Sequence, residues 1–180
     1  MMRPSVTAFS IMLAAALLSC SKQSLQNTYD AQEKKIESFA SARNGIATRY
    51  KDGSVRVIMQ EGHTADTLLS NGAVTFYYAG YVLNGTSVSA RDMFATNRQV
   101  EAEAAGWDPQ DEDAFSPVTV AMDSNDLIEG LRNGLLGVRG GEECYILFSG
   151  KHAYGKRALG TIPAKSALVD HVWVESMTNE

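Results

Sequence analysis

Basic charge is in short supply: 16 lysines and arginines stand against 21 aspartates and glutamates, a formal net charge of −5. No positive stripe is left to neutralise phosphates, so nucleic acid is excluded as a partner on electrostatic grounds. Cysteine is nearly absent. With only Cys20 and Cys144, a disulfide framework is excluded. The three histidines, His63, His152 and His171, are scattered singly, and neither cysteine pairs with one at metal-ligand spacing, which removes a zinc site. Only four prolines in 180 residues, 44% of them hydrophobic, fit one compact domain with a short appendage rather than a multidomain machine. Long hydrophobic runs are missing too, since the longest, residues 10–18, is too short to span a bilayer permanently.

That run has a different use. Arg3 supplies a positive n-region, the apolar stretch follows, and residues 1–19 read as a secretory signal. The run ends in Leu17-Leu18-Ser19-Cys20, which resembles the bacterial lipobox, a short apolar and small-residue stretch before a cysteine that is diacylated and then becomes the mature N-terminus. The resemblance implies lipidation at Cys20, with acyl chains that tether the protein to a membrane without spanning it. Nothing acidic follows in Ser21-Lys22-Gln23-Ser24, which leans toward an outer-membrane lipoprotein facing the periplasm. Cys144 would then be a lone thiol in an oxidising envelope, and its strand-like apolar surroundings assign it to the core.

Beyond Cys20, residues 20–45 read as a helical linker and residues 46–180 as the folded domain. Leu25, Tyr29, Ile36, Phe39 and Ala40 recur at near-helical spacing, predicting an amphipathic helix over 25–42 that Gly45 ends. Residues 46–50 and 54–60 face each other across Asp52-Gly53, a strong hairpin signal. Further strands are expected at 73–83, 117–122, 142–149 and 167–176. One short helix is expected at 124–136, capped by Asp123 or Ser124 and stopped by Gly137, with Leu127, Ile128, Leu131 and Leu135 as its buried stripe. The stretch 91–116 is acidic around Trp107 and reads as a long solvated loop with a helical turn near 100–105. Calcium at 108–113 is conceivable for hard carboxylate ligands, but the spacing lacks the glycine and terminal glutamate of an EF-hand. Such a loop could also dock a partner. These elements make an α+β domain, an antiparallel β-sheet curled around one short α-helix, with an N-terminal helical extension.

A series of ordered motifs sharpens that picture. Residues 74–85, Val-Thr-Phe-Tyr-Tyr-Ala-Gly-Tyr-Val-Leu-Asn-Gly, resemble the V-x-Y-x-G-x-L-x-x-G strand of the FKBP-type peptidyl-prolyl isomerases. Residues 127–135, Leu-Ile-Glu-Gly-Leu-Arg-Asn-Gly-Leu, are similar to that family's V-I-x-G-W-x-x-G-L helix. Ala153-Tyr154-Gly155, Ile162-Pro163 and Ala167-Leu168-Val169 resemble its A-Y-G … I-P … L-x-F-x-V tail. The resemblance spans about residues 72–174 and implies an FKBP-like fold and isomerisation of X-Pro bonds, without a cofactor or metal, in proline-containing segments of envelope proteins.

The chemistry is consistent with what the chain lacks. An X-Pro amide resists rotation by about 18 to 20 kcal/mol because of its resonance. A catalyst needs only to favour the twisted amide over the planar one, with a dry pocket and well-placed hydrogen bonds. No nucleophile is required. The resemblance places Tyr78, Ile128 and Tyr154 as catalytic groups, Ile128 through its backbone N–H and Tyr154 through its hydroxyl. It places Leu127, Leu131, Ile162, Val88 and Phe115 along the substrate pocket.

Three departures from the family pattern keep a second function class open, a domain of this fold that binds a partner without catalysis. Leu131 stands where the family usually has tryptophan, and Val88-Ser89 stand where it has Phe-Asp, so a carboxylate is missing. Asp170 falls where the family has a pocket-wall phenylalanine, on the strand face of Leu168, Val172 and Val174. Two readings compete for it. Either Asp170 joins the site and takes a hydrogen bond from Tyr78 or Tyr154, or a bulge turns it outward and Trp173 inward.

Overall fold

The computed structural model describes residues 6–108 and 112–179, with side chains over 22–108 and 114–179. The lipobox and the Cys20 thiol, and the side chains of 109–113 in the acidic loop, lie outside the described side chains.

The first described element is helix α1 (Val6–Ala42), so the helix expected from residue 25 starts further upstream and ends where its periodicity stops. Among the described residues no helix is long and apolar enough to cross a membrane. Tyr29, Ile36, Phe39 and Ala40 form its buried stripe. Gly45 lies three residues past its end, and a side chain there would come within 2.6 Å of Val57 Cγ1. The hairpin β1 (Ala47–Lys51) and β2 (Ser54–Gln60) turns through Asp52 (φ 44°) and Gly53 (φ 83°). Two successive positive φ values are what a two-residue type I′ turn requires.

The remaining strands are β3 (Ala73–Val82), β4 (Met93–Thr96), β5 (Val118–Ala121), β6 (Glu143–Phe148) and β7 (Leu168–Thr178). They form one antiparallel sheet in the order β1-β2-β6-β7-β3-β4, with β5 also on β3. β4 was not expected. Its four residues follow a 3-10 turn at Ala90–Asp92 inside the stretch read as loop, and so short an apolar run carries no periodicity of its own. The turn expected near 100–105 is α2 (Gln99–Ala104).

Helix α3 (Glu129–Leu135) is shorter than the sequence suggests, and its N-cap is Ile128, in extended conformation, rather than Asp123 or Ser124. The Ser124 hydroxyl accepts from the Asp126 amide instead, so this segment turns locally before the helix begins. Leu135 is fully buried, whereas Leu127, Ile128 and Leu131 remain partly open. Gly130 and Gly134 face β6, where a Cβ would approach Phe148 Cγ to 2.2 Å and Ile146 Cγ2 to 2.1 Å. Their bare backbone is what lets α3 lie directly on the sheet. Arg56, buried on β2, donates to the carbonyls of Gly134 (2.8 Å) and Leu136 (2.9 Å) at the end of α3, and lies 3.2 Å from the Glu142 carboxylate.

Both faces of the sheet are covered, so its central strands are apolar on both sides. On the α3 face Leu168, Val172 and Val174 pack with Phe76, Leu135, Ile146 and Phe148. On the other, α1 lays Ile36, Phe39 and Ala40 against Val57, Tyr81, Tyr145, Leu147 and Val169. Cys144 is fully buried in the first cluster, as expected. Tyr145, His171 and Trp173 stack along the α1 face, with Arg98 over Trp173 at 4.0 Å.

Candidate functional site

A cleft of about 480 Å³ opens on the α3 face, and three walls of the fold define it. Phe76 and Tyr78 from β3, Phe94 and Ala95 from β4, and Val118 and Val120 from β5 make one side. Asp126, Leu127, Ile128 and Leu131 come from α3 and the turn before it. Tyr154 and residues 159–162 come from the loop between β6 and β7, and Asp170 comes from β7 beneath them. Seven of the residues singled out from sequence therefore meet here: Tyr78, Leu127, Ile128, Leu131, Tyr154, Ile162 and Asp170.

Val88 and Phe115 do not. Val88 packs toward the α1 face, and Phe115 ends a 3-10 turn outside the cleft. The loop after Asn84 is longer than the motif allows, so the strand that returns along β3 begins only at Met93, pairing Tyr81 with Met93 and Gly80 with Ala95. Phe94-Ala95 therefore occupies the place that sequence comparison gave to Val88-Ser89. The aromatic ring is present and the carboxylate is still missing.

Tyr78 is held by a device that the sequence did not reveal. Between β4 and β5 the edge of β3 is unpaired, and Asn97 fills it: its Oδ1 accepts from the Tyr78 amide at 2.6 Å while its Nδ2 donates to the carbonyls of Phe76 (3.2 Å) and Ser116 (3.0 Å). Thr96 Oγ1 donates to the Tyr78 carbonyl at 2.7 Å. A buried amide spending both ends on backbone in this way fixes the tyrosine as a strand would.

Tyr154 sits on a loop pinned from several directions. The Gly155 amide donates to the Gly150 carbonyl (2.9 Å), and the Gly130 amide at the start of α3 donates to the His152 carbonyl (2.9 Å). His152 Nδ1 lies 3.1 Å from Glu129 Oε1. From the opposite face of the sheet, Gln32 of α1 accepts from the Gly150 amide at 2.8 Å and donates to the Lys165 carbonyl at 2.5 Å, clasping both ends of the loop. The Ile128 amide has no hydrogen-bond partner among the described residues and stands at the rim of the cleft. It is free to meet a carbonyl of a bound chain.

Asp170 faces the cleft and is 3% exposed. β7 keeps its register there, with Asp170 opposite both Ile146 and Gly80, and the irregularity in its pairing comes only beyond Val174. Trp173 packs on the α1 face, so of the two readings the inward one describes the chain. Its proposed partner is not there, because neither tyrosine hydroxyl hydrogen-bonds to it and Oδ2 is buried without a partner. Burial raises the Asp170 carboxyl to about 7. Burial first, and the nearby Asp170 second, push the phenols of Tyr78 and Tyr154 upward, which keeps both as hydrogen-bond donors. Gly80 makes room for this arrangement: a Cβ there would lie 2.6 Å from Phe94 Cζ and 3.0 Å from Asp170 Oδ1.

The side chains that sequence reasoning missed fall into two kinds. Val118 and Val120 alternate with exposed neighbours, a period-2 pattern that was legible. Phe94, Asn97 and Gln32 gave no local signal, because their roles depend on where distant segments meet.

Among the described residues no group of three or more acidic, cysteine or histidine side chains is placed to hold a metal ion. Residues 66–174, more than half of the chain, match the model of the family described as FKBP-type peptidyl-prolyl cis-trans isomerase. No curated protein matches it. Among solved structures it is similar to a peptidyl-prolyl cis-trans isomerase from Pseudomonas syringae pv. tomato, at 18% identity and a TM-score of 0.57, over 84% of this chain and 96% of that one. The N-terminal domain of FKBP42 from Arabidopsis thaliana aligns at 15% identity and 0.56, over 76% and 96%. The three FKBP domains of wheat FKBP73 align at 18% and 0.56, over 74% of this chain, which spans about half (49%) of the wheat chain.

Proposed function

Because the chain belongs to the FKBP-type peptidyl-prolyl cis-trans isomerase family, we propose that it is a lipid-anchored prolyl isomerase that assists protein folding in the bacterial cell envelope. The observation that carries this reading is the convergence of the free Ile128 amide and the Tyr154 phenol on one apolar cleft. A proline ring enters against Phe76, Phe94, Val118 and Leu131, which exclude water and strip the X-Pro amide of its aqueous hydrogen bonds. The Ile128 N–H and the Tyr154 hydroxyl hold carbonyls of the bound chain that flank the X-Pro amide, so the oxygen of the rotating amide itself is left without a donor. A planar amide relies on resonance that places charge on its oxygen, and a dry wall does not solvate that charge. The twisted form, with less charge separation, is the better fit, and differential stabilisation of this kind accelerates rotation.

The signal at residues 1–19 and the lipobox cysteine support tethering through Cys20 to the outer membrane, with the domain on the periplasmic side. Its substrates are then proline-containing segments of envelope proteins. Incorporation of labelled fatty acid, abolished in Cys20→Ser, tests the anchor.

The activity is tested by following cis-to-trans relaxation of an X-Pro peptide in a protease-free assay. Acceleration that falls at least about tenfold in Tyr154→Phe is expected from loss of one hydrogen bond in a dry site. A folded protein that gives no acceleration would refute catalysis. It would favour the second reading, a peptide-binding domain without turnover, which Leu131, Ala95 and Asp170 motivate as departures inside the cleft.

A further inference from the structure

Asp170 is a buried carboxyl with no partner supplied by the protein. Oδ2 is enclosed and unpaired, the residue is 3% exposed, Gly80 and Ile146 stand opposite it on the neighbouring strands, and Tyr78 and Tyr154 line the cleft beside it. A buried carboxyl of this kind is unfavourable if nothing answers it. The chain has not removed that cost by turning the strand, since β7 keeps its register through Asp170. Nor has it recruited a neighbour: no lysine, arginine or histidine lines the cleft among the described residues, and its one other charged side chain, Asp126, has the same sign. The cleft is apolar over Phe76, Phe94, Val118, Val120 and Leu131, with Asp170 beside the phenols of Tyr78 and Tyr154, and this lining fits a ligand that is apolar along its length and carries a donor at its end.

We infer that the cleft selects proline segments in which a residue next to the proline is lysine or arginine, the cationic head pairing with Asp170 while the aliphatic stem lies along the apolar wall. The inference rests on the isomerase reading for the proline, and adds the substrate class. One observation and two chemical arguments converge on it. The volume of about 480 Å³ is in the range of ligand pockets and exceeds what a single ring occupies. Lysine and arginine combine a methylene stem with a charged tip, matching a wall that changes from apolar to acidic. Charge-assisted hydrogen bonds to a carboxylate are the strong ones, and Asp170 has already borne its own desolvation in the folded protein.

The experiment uses the full chain at pH 8 and short peptides that differ only at the residue before or after one proline, where lysine, arginine, norleucine or glutamate is placed. Affinity is read by titration, which needs no turnover. The lysine or arginine peptide should bind about 10-fold to 100-fold more tightly than the norleucine one, as a charged hydrogen bond in a dry site implies. Asp170→Asn should reduce that ratio to about twofold, and Asp170→Phe, which restores the residue type of the family pattern, should invert it. Asp126→Asn should leave most of the ratio in place. Equal binding of lysine and norleucine peptides on both sides of the proline would overturn the inference while leaving the isomerase reading intact. A cation preference that survives both Asp170 variants would overturn it too, by assigning the selectivity to the general negative charge of the chain. Preference without any rate acceleration would sustain the inference and refute catalysis, and failure of every peptide to bind would refute both.

Discussion

Replacing Asp170 with asparagine should make the protein's stability less sensitive to pH, in a direction that follows from linkage. An unfolded aspartate ionises at about 3.8, whereas burial raises Asp170 in the folded chain to about 7. Below pH 4 both states hold the proton and the carboxyl is neutral in each. Between 4 and 7 the unfolded state releases the proton and the folded state keeps it, so the folded state binds more protons and stability falls as pH rises. Above 7 both are ionised and the loss is complete. The gap between 3.8 and about 7, at about 1.4 kcal/mol per tenfold change in acidity, amounts to about 4 kcal/mol, of which about 3 kcal/mol falls between pH 5 and pH 8. Urea denaturation of the wild type and Asp170→Asn at several pH values in that range measures it. Asparagine keeps the shape and leaves its own constant cost, so the informative quantity is the change in the difference between the two proteins. That difference should move by about 3 kcal/mol in favour of the variant between pH 5 and 8. Taking it as a difference cancels His171, whose pKa burial lowers, and Glu142, whose pKa burial raises. A difference that stays flat over this range would show that Asp170 is solvated or paired in the folded protein, and the reasoning about its unanswered oxygen would fail with it.

Two further substitutions test how the site is held. Gln32→Ala removes both bonds that clasp the loop of Tyr154, so the Gly150 amide hydrogen should exchange faster with solvent and peptide affinity should drop about threefold to tenfold; unchanged exchange would mean that Gln32 merely decorates the helix. Gly134→Ala places a methyl where Ile146 Cγ2 lies 2.1 Å away, and thermal or urea unfolding should show a loss of about 1 to 3 kcal/mol as α3 is pushed off β6, whereas a neutral result would mean that the helix can slide.

What could be read from the amino-acid sequence, and what could not, divides along the range of the interactions. The hairpin at Asp52-Gly53, the apolar runs of β3, β6 and β7, and Gly137 after α3 are each written in a few adjacent residues, and the structure has them where those signals put them. Helix α3 was overextended because Ser124, Asn125 and Asp126 look like a helix start, while their short polar side chains serve a turn equally well. Strand β4 was missed, and Val88 was given the place of Phe94, for one reason: alignment to a motif fixes spacing, whereas pairing with β3 fixes register, and the two differ wherever a loop is longer than the motif allows.

Asp170 shows the same division in sharper form. Period-2 alternation placed it on the inner face, and only long-range packing could decide whether a tyrosine would answer it. Its neighbours across the sheet are Gly80 and Ile146, on two strands remote in sequence. Gln32 lies further still from the residues it holds, 118 and 133 positions from Gly150 and Lys165. α1 thus does more than link the domain to its N-terminus. It covers the back of the sheet with Ile36, Phe39 and Ala40, and through Gln32 it holds both ends of the loop that carries Tyr154.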